Sequence, residues 1–339
     1  MKVSVFSTKP YDRQFLEAAN SNGTHELIFH EARLSSDTAM LAAGTEAVCT
    51  FVNDEISADI VEILAKDGIR LIALRCAGFN HVDLAATDAH GISVRRVPAY
   101  SPYAVAEFAL GMILTLNRQY HRAYNRVREG NFSIEGLMGF DLHGKTVGII
   151  GTGKIGRLTV APLAALGCRV IGCDPFENQE FIDLGGSYVT LDELFSQSEI
   201  ISLHCPLTPE SYHLVNAQTM AKMRDGVMII NTSRGALINA VEMVDALKSR
   251  KVGYLGIDVY EQEGDLFYQD LSNQIIQDDV IQRLLSFPNV LVTSHQAYFT
   301  DTALRNISET TLTNLDDFAA GKSSPNEVLL ATAHGSKKQ

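Results

Sequence analysis

Cysteine is scarce in this chain and follows no recognisable spacing. The 339 residues include five cysteines, at positions 49, 76, 168, 173 and 205, with no C-x-x-C pair among them. An odd count does not suit a disulfide framework, and most of these residues end strand-like apolar runs. The histidines show no H-x-x-x-H or comparable cluster that would indicate a metal. We therefore expect reduced, buried thiols in a cytoplasmic protein without a metal site.

Positive charge and long apolar runs are also in short supply. Lys and Arg number 28 against 40 Asp and Glu, a net charge of −12 that no basic cluster offsets. This balance argues against a nucleic-acid partner. The longest apolar segment, around 105–116, is interrupted by Glu107 and is too short to span a bilayer. The first residues, Met1–Phe6, are typical of a strand and not of a signal peptide, so we expect no membrane partner.

The composition that remains is that of a globular protein with two domains. Apolar residues make up 46% of the chain and charged residues 20%. Residues 1 to about 100 alternate strand-like runs with helix-like segments, which indicates parallel βαβ units. The runs cover residues 3–7, 27–29, 47–52, 71–76 and 92–97. This part lacks a glycine fingerprint and is therefore interpreted as a second α/β domain beside a cofactor domain.

A glycine fingerprint organises the middle of the chain. The short apolar strand Thr146–Ile150 leads into Gly151-Thr152-Gly153-Lys154-Ile155-Gly156, a G-x-G-x-x-G, and then into a helix that continues to about Leu166. In dinucleotide folds the first glycine makes a tight turn, the second admits the pyrophosphate, and the third lets the helix pack on the strand. An ordinary glycine turn is the alternative.

A carboxylate follows the fingerprint at the distance that NAD binding requires. Asp174 ends the next apolar run, about 20 residues after Gly156, where an acidic side chain binds the ribose 2′-OH. The residues after it, Pro175-Phe176-Glu177, offer no cation for a 2′-phosphate. The sequence therefore predicts an NAD site.

Further strand-like runs extend the cofactor domain to about residue 297. They cover 199–204, 227–231, 255–258 and 290–292, a long helix is predicted from Tyr103 to about Arg128, and another helix over 300–320. The tail 331–339 is expected to fray. The predicted fold is α/β with two Rossmann-like domains. An NAD-binding domain, 103–297, is inserted into a flavodoxin-like substrate domain, 1–102 plus 298–339.

Three polar side chains beyond the fingerprint follow predicted strands. Arg234 follows 227–231, at the strand end where open α/β sheets bind ligands, and its guanidinium can hold a carboxylate through two bonds. A surface ion pair is the alternative. His295 follows 290–292 and Glu263 follows 255–258. A carboxylate orients a histidine and favours its charged form, which suits proton donation to a carbonyl. Spacing alone leaves a structural role for this pair equally open.

Several motifs taken together resemble the D-isomer-specific 2-hydroxyacid dehydrogenase family over nearly the whole chain. They are the fingerprint, Cys205-Pro206-Leu207-Thr208-Pro209, Asn231-Thr232-Ser233-Arg234-Gly235-Ala236-Leu237, Gly256-Ile257-Asp258-Val259-Tyr260-Glu261 and Ser294-His295-Gln296-Ala297. Arg75-Cys76-Ala77-Gly78-Phe79-Asn80 and the extended segment 265–279 are similar to the branch of bacterial fermentative D-lactate dehydrogenases.

The resemblance implies a role for each matching position. The catalytic residues would be Arg234, Glu263 and His295. The cofactor contacts would be Gly151, Gly153, Lys154, Ile155, Gly156, Asp174, Cys205, Pro206, Ser211, Thr232, Ser233 and Asp258. The backbone of Ala77 and Gly78 would bind the substrate carboxylate, and Phe51, Tyr100, Tyr298 and Phe299 would surround the other end of the substrate.

The expected reaction is reversible NADH-dependent reduction of pyruvate to D-lactate, with closure of the two domains around the substrate and assembly into a homodimer or homotetramer. Three positions depart from relatives: Phe108 replaces a common His, Ser294 a Gly or Pro, and Ser211 a frequent Asn. The last puts one cofactor contact in doubt.

Three alternatives remain beside this expectation. A related enzyme could use a larger 2-keto acid or phosphoglycerate, and an NAD(H)-sensing corepressor shares the family's fold. An L-lactate or malate dehydrogenase is disfavoured because its glycine fingerprint lies near the N-terminus.

Overall fold

The computed structural model describes residues 1–330, apart from the side chain of Asp265. The predicted frayed tail, 331–339, lies outside the described residues. The chain forms two compact units, which we call the first unit (Met1–Ser101 with the residues from Phe299 onwards) and the second unit (Pro102–Tyr298). These crossings differ by one residue each from the predicted division at 102 and 298, so Tyr298 belongs to the second unit.

Strands and helices alternate along the described residues. The strands are β1 (Lys2–Val5), β2 (Glu26–Phe29), β3 (Ala47–Thr50), β4 (Leu71–Leu74), β5 (Ser93–Arg95), β6 (Thr146–Ile150), β7 (Arg169–Cys173), β8 (Gly186–Tyr188), β9 (Ile200–Leu203), β10 (Val227–Asn231), β11 (Val252–Ile257) and β12 (Val290–Val292). The α-helices are α1 (Pro10–Ala19), α2 (Ala58–Lys66), α3 (Leu84–Ala89), α4 (Pro102–Arg118), α5 (Tyr120–Arg128), α6 (Lys154–Ala165), α7 (Gln179–Asp183), α8 (Leu191–Gln197), α9 (Ala217–Lys222), α10 (Ala240–Lys248), α11 (Asp279–Leu285) and α12 (Asp301–Ala319).

The first unit is built on a parallel sheet with the order β2-β1-β3-β4-β5. This is the flavodoxin-like order, in which ligands bind beyond the carboxyl ends of the strands where the order reverses, here between β1 and β3. The strands β3 and β4 are buried along their whole length, as expected of a sheet covered by helices on both faces.

The helix α12 returns from the far end of the chain to complete the first unit. Its Leu312 and Leu315 are buried in one apolar cluster with Val3 and Val5 of β1. Polar contacts accompany this packing, since the guanidinium of Arg95 donates to the carbonyl of Asn314 at 2.9 Å. The sheet therefore has its last covering helix from a segment more than 200 residues away in sequence.

The second unit has a seven-stranded parallel sheet in the order β12-β11-β10-β9-β6-β7-β8. Counted from β6, this is the dinucleotide-binding order 3-2-1-4-5-6 with one strand added, and the order reverses between β6 and β9. The predicted fold class is confirmed. The short strand β8 was not predicted, because three residues that begin with Gly186 carry no alternating pattern.

The long helix predicted from Tyr103 to Arg128 is wrong as a single element. It is two helices, α4 and α5, separated by Gln119, whose φ of +51° lies in the left-handed region. The helix α4 packs on the sheet so closely that a β-carbon at Gly256 of β11 would lie 3.0 Å from Leu116. No residue of α5 is buried. The break therefore separates a core helix from a surface helix.

In the described part of the chain, no helix combines the length and the apolar character needed to cross a membrane.

Candidate active site

The glycine fingerprint forms the turn between β6 and α6, and its three glycines are needed for different reasons. Gly151 has a φ of +92°, and a β-carbon there would collide with the backbone of Cys205. A β-carbon at Gly156 would collide with the carbonyl oxygen of Gly151. At Gly153, the residue before the first turn of α6, a β-carbon would meet no heavy atom within 4 Å. The chain itself leaves this space open at a helix N-terminus, where a pyrophosphate fits.

Asp174 lies directly after β7 and is oriented by two backbone groups. The N–H of Thr152, inside the fingerprint, donates to Oδ2 at 2.7 Å, and the N–H of Phe176 donates to Oδ1 at 2.9 Å. Each carboxylate oxygen keeps a free lone pair under this arrangement, because an ionised carboxylate accepts about four bonds. The side chain is thus held at the edge of the fingerprint and can still accept from a ribose hydroxyl.

The predicted cofactor residues after β9 and β10 include one hydroxyl without a partner. The Thr232 hydroxyl is buried and has no hydrogen-bond partner among the described residues. Ser233 Oγ instead donates to the carbonyl of Cys205 at 2.6 Å, and Ser211 Oγ donates to the carbonyl of Pro206 at 2.7 Å. Since buried polar groups are normally paired, Thr232 fits a polar atom of a bound cofactor. The hydroxyls of Ser233 and Ser211 instead stabilise the loop after β9 by binding its carbonyl groups.

The two residues directly after β9, His204 and Cys205, are uncharged at neutral pH. Burial lowers the pKa of His204, directly after β9, to about 4, and its Nε2 lies 2.9 Å from Ser202 Oγ. Burial also raises the pKa of the neighbouring Cys205 thiol to about 11. At neutral pH both groups are neutral. The crevice between β6 and β9 therefore carries no side-chain charge of its own at this point.

Arg234, Glu263 and His295 follow β10, β11 and β12, which are neighbours in the sheet. Arg234 forms no ion pair with a described carboxylate, and its Nη1 donates to the carbonyl of Ser233 at 2.7 Å. The turn that carries it is held by Asn231, whose side chain donates to the Arg234 carbonyl at 2.8 Å and accepts from the Ser233 N–H at 3.0 Å. A guanidinium without a carboxylate partner is suited to an anionic ligand.

His295 and Glu263 form a hydrogen-bonded pair. His295 Nδ1 lies 2.7 Å from Glu263 Oε1, and both side chains are about four-fifths buried. Glu263 Oε2 accepts from the Tyr260 N–H at 2.9 Å, so both carboxylate oxygens are fixed. Among the described residues His295 Nε2 has no hydrogen-bond partner. This leaves one ring nitrogen for a ligand, with the tautomer set by Glu263.

The loop that carries His295 is attached to Asp258. The Asp258 carboxylate accepts from Thr293 Oγ1 at 2.5 Å and from the N–H groups of Gln296 and Ala297 at 2.9 and 2.8 Å. Burial raises the pKa of this carboxyl above its ordinary value, and the three hydrogen bonds oppose that shift. The resemblance assigned Asp258 to the cofactor; in the structure its carboxylate bonds the histidine loop.

Two residues near the pair escaped the sequence analysis. The Tyr268 hydroxyl donates to the carbonyl of His295 at 3.2 Å, and the two ring centroids are 6.0 Å apart. The Tyr260 hydroxyl donates to Asp278 at 2.8 Å. Tyr268 and Asp278 lie in the extended segment 265–279, so that segment contacts the histidine loop through Tyr268 and the turn after β11 through Asp278. A tyrosine in a loop carries no periodic signal in the sequence. From the sequence, only the extended segment as a whole was singled out, and Tyr268 was given no role.

In the first unit, the predicted substrate residues lie at or near the carboxyl edge of the sheet. Ala77 and Gly78 follow β4, and neither N–H donates to another described residue, which leaves both free for a carboxylate. Phe51 follows β3, and its N–H donates to Asp54 at 2.6 Å. The Tyr100 carbonyl accepts from Asn306 at 2.5 Å. Phe299 packs edge-on against Tyr11, with the ring centroids 4.7 Å apart.

Comparison with known proteins agrees with this geometry. Residues 110–297 match the family model described as D-isomer specific 2-hydroxyacid dehydrogenase, NAD binding domain. The chain is 53% identical to the D-lactate dehydrogenase of Escherichia coli over 97% of this chain and all of the relative. It is also 53% identical to a 2-hydroxyacid dehydrogenase homolog of Haemophilus influenzae over 97% of this chain and 99% of that relative. A solved pyruvate reductase of Chlamydomonas reinhardtii superposes with a TM-score of 0.92 at 43% identity, covering 96% of this chain and 98% of that one.

The chain therefore belongs to the D-isomer-specific 2-hydroxyacid dehydrogenase family. It is an NAD-dependent oxidoreductase, and the open space at Gly153 and the unpaired Thr232 hydroxyl fit that cofactor. The predicted family, enzyme class and cofactor are confirmed. The roles of the individual site residues stay predictions.

The open space at Gly153 leads to the first testable prediction. In Gly153→Ala, the added methyl should meet the pyrophosphate and weaken NADH binding roughly tenfold, since overpacking costs about 1–3 kcal/mol. The melting temperature should not fall, because no protein atom is displaced. Titration of NADH fluorescence measures the affinity. Gly111→Ala in α4, where a β-carbon also meets no heavy atom, is the control. Unchanged NADH affinity in Gly153→Ala would place the cofactor elsewhere.

Proposed function

We propose that this protein reduces pyruvate to D-lactate with NADH, reversibly, and that His295 is the proton donor. The observation that carries the proposal is the Glu263–His295 pair with its free Nε2, two strands from the unpaired Arg234. A 2-keto acid has a carboxylate for a guanidinium and a carbonyl oxygen for an acid, and this edge of the sheet offers both partners.

Arg234 is proposed to bind the substrate carboxylate. Its guanidinium has no carboxylate partner among the described residues, although acidic residues outnumber basic ones in the chain as a whole, 40 to 28. Two parallel hydrogen bonds to a carboxylate would fix the position and the orientation of the substrate together. In the first unit, the free N–H groups of Ala77 and Gly78 are proposed as donors to a substrate carboxylate.

His295 is proposed to protonate the keto oxygen. Glu263 pairs with Nδ1, which leaves Nε2 and its proton for the substrate. The bound NADH supplies the hydride to the keto carbon. Arg234 stabilises the negative charge that develops on the oxygen, a role that preorganised cations perform without moving. The reverse reaction returns the proton to the same nitrogen.

The substrate is proposed to be small because the residues assigned to its side-chain end are bulky. Phe51, Tyr100, Tyr298 and Phe299 are all aromatic, and such a set would admit a methyl group more readily than a long chain. The relatives named above as a D-lactate dehydrogenase and a pyruvate reductase support this choice. A larger 2-keto acid is the second candidate, since an equally similar relative is named only as a 2-hydroxyacid dehydrogenase homolog.

A homo-oligomer, at least a dimer, is proposed from an exposed apolar surface. Phe132, Ile134 and Met138, in the segment after α5, are 76%, 84% and 87% exposed, and Tyr120, Tyr124 and Val127 of α5 are exposed beside them in sequence. Several large apolar side chains exposed within one short stretch are typical of an interaction site, and a second copy is the occupant we propose. We also propose a cytoplasmic location, which the five free cysteines support.

The proton donor is tested by two substitutions. His295→Gln should lower kcat for pyruvate by roughly two to four orders of magnitude, the usual contribution of general acid–base catalysis, with NADH affinity nearly unchanged. Glu263→Gln should move the upper pH midpoint of activity to lower pH, because the loss of the carboxylate disfavours the charged ring that donates the proton. Stopped-flow turnover and pH–rate profiles measure both effects. Near-normal turnover in His295→Gln would reject the assignment.

The substrate is tested by comparing kcat/KM for pyruvate, 2-ketobutyrate and phenylpyruvate. Each additional methylene that the pocket does not accommodate lowers kcat/KM about 10–200-fold. Pyruvate should therefore have the highest kcat/KM and phenylpyruvate the lowest. Phe51→Ala should narrow the gap between them, whereas Phe287→Ala, a phenylalanine of the second unit outside the predicted site, should not. A wild-type protein that uses phenylpyruvate as well as pyruvate would favour the larger-substrate candidate.

The oligomer is tested by light scattering at micromolar concentration. We expect a mass at least twice the 37.1 kDa of one chain. The double variant Phe132→Ser/Ile134→Ser should reduce it, because it removes apolar surface that the partner would cover. Ile275→Ser changes a side chain that is 85% exposed elsewhere and should leave the mass unchanged. A monomeric wild-type protein would contradict the proposal.

A further inference from the structure

A cluster of three side chains lies beside the catalytic turns, although none of them matches a residue assigned to the reaction. His213 Nε2 lies 3.1 and 3.0 Å from the two carboxylate oxygens of Glu261. The Tyr212 hydroxyl donates to Glu261 Oε1 at 3.1 Å. The rings of Tyr212 and His213 are stacked, with centroids 3.9 Å apart and planes 19° from parallel. The carboxylate of Glu261 thus receives two side chains from one loop.

The backbone of this cluster reaches both of the turns that carry predicted catalytic residues. The N–H of His213 donates to the carbonyl of Ala236 at 2.8 Å, two residues beyond Arg234. Glu261 directly follows Tyr260, whose N–H donates to Glu263 Oε2, and lies two residues before Glu263. The two turns pack tightly, since a β-carbon at Gly235 would collide with the backbone of Tyr260 and Glu261.

The conformation of His213 indicates that the surroundings hold it in place. Its φ of +49° lies in the left-handed region, which costs conformational energy for any residue other than glycine. Such a residue persists only where several contacts fix it together. Here those contacts are the backbone bond to Ala236, the pair with Glu261 and the stack with Tyr212. The His213 and Glu261 side chains are 24% and 28% exposed, so the pair is shielded more than an ordinary surface ion pair.

We propose that His213 and Glu261 are positioning residues for the reaction. By joining the loop after β9 to the turn after β11, they hold the Tyr260 N–H where it fixes Glu263, and Glu263 in turn fixes His295. The same loop bonds the turn of Arg234. This inference rests on the proposed role of His295 as proton donor.

The test is a double-mutant cycle on the full-length protein with pyruvate and NADH. The single variants are His213→Asn and Glu261→Gln; asparagine is used because it tolerates positive φ, so the pair is lost without added backbone strain. Each single variant should lower kcat/KM for pyruvate roughly tenfold, and the double variant should be no worse than the weaker single, because both changes remove the same interaction. The affinity for NADH, measured without pyruvate, should change less than about twofold.

A second readout separates positioning from general destabilisation. If Glu263 is held less well, the upper pH midpoint of kcat/KM should move to lower pH in both variants, in the direction expected for Glu263→Gln. The groups that face His213 in the structure are the Glu261 carboxylate and the Tyr212 hydroxyl; Tyr212→Phe keeps the stack and should reproduce the profile of the wild type. Lys222→Gln breaks an ion pair with Asp192 on the surface of the same unit and is the control for loss of an ion pair alone.

The outcomes distinguish this inference from the proposed function. Additive losses in the cycle, an unchanged pH midpoint, or a fall in melting temperature with normal kcat/KM would each overturn the positioning role while His295→Gln remained inactive. Near-normal turnover in His295→Gln would instead overturn the proposed proton donor, whatever the His213 variants do. If His213→Asn does not fold, Glu261→Gln with its pH profile decides the question.

Discussion

A buried carboxylate at the end of β11 is the interaction on which the proposed active site depends. Asp258 is fully buried, and it accepts hydrogen bonds from Thr293 and from the N–H groups of Gln296 and Ala297, on both sides of His295. Its own carbonyl accepts from the His295 N–H at 2.7 Å. These four bonds close the loop after β12 on the strand beside it and hold His295 at a φ of +54°. Without the carboxylate, the buried N–H of Ala297 and the partly buried N–H of Gln296 would lose their partners, which would destabilise the loop that carries the proposed proton donor.

The parallel sheet turns this local anchor into an ordered site. Because every strand of the second unit runs in the same direction, the turns after β6, β7, β9, β10, β11 and β12 all lie at one edge. The glycine turn and Asp174 belong to β6 and β7, and Arg234, Glu263 and His295 belong to β10, β11 and β12. The proposed cofactor residues and the proposed catalytic residues thus lie along one edge of the sheet, and short side-chain bonds such as Glu263 to the Tyr260 N–H fix them there.

The parts that the sequence predicted well are those with a local signal. The strands Thr146–Ile150, Val227–Asn231 and Val290–Val292 were predicted to the residue, because each is a short apolar run with clear polar ends. The glycine turn was predicted because each glycine has its own steric requirement. The break at Gln119 was missed, since glutamine gives no sign of a positive φ and the apolar spacing continues past it. The bonds of Asp258 and the Tyr212–His213–Glu261 cluster were missed for another reason: their partners are 35 to 49 residues apart in sequence and meet only in the folded sheet.

The distribution of charge along the sheet edge explains how one crevice can serve both a cofactor and an acid substrate. Arg234 follows β10 and Asp174 follows β7, and the strands between them, β9 and β6, end in neutral groups because burial keeps His204 and Cys205 uncharged. Three strand spacings of about 4.8 Å separate the two charged residues by roughly 14 Å. An anion is attracted to the Arg234 end and repelled from the Asp174 end. A ribose, whose hydroxyls can donate hydrogen bonds, is better matched to the carboxylate of Asp174. The sheet order therefore agrees with the proposed roles, in which Asp174 would bind the adenosine ribose of NAD and Arg234 the carboxylate of the substrate.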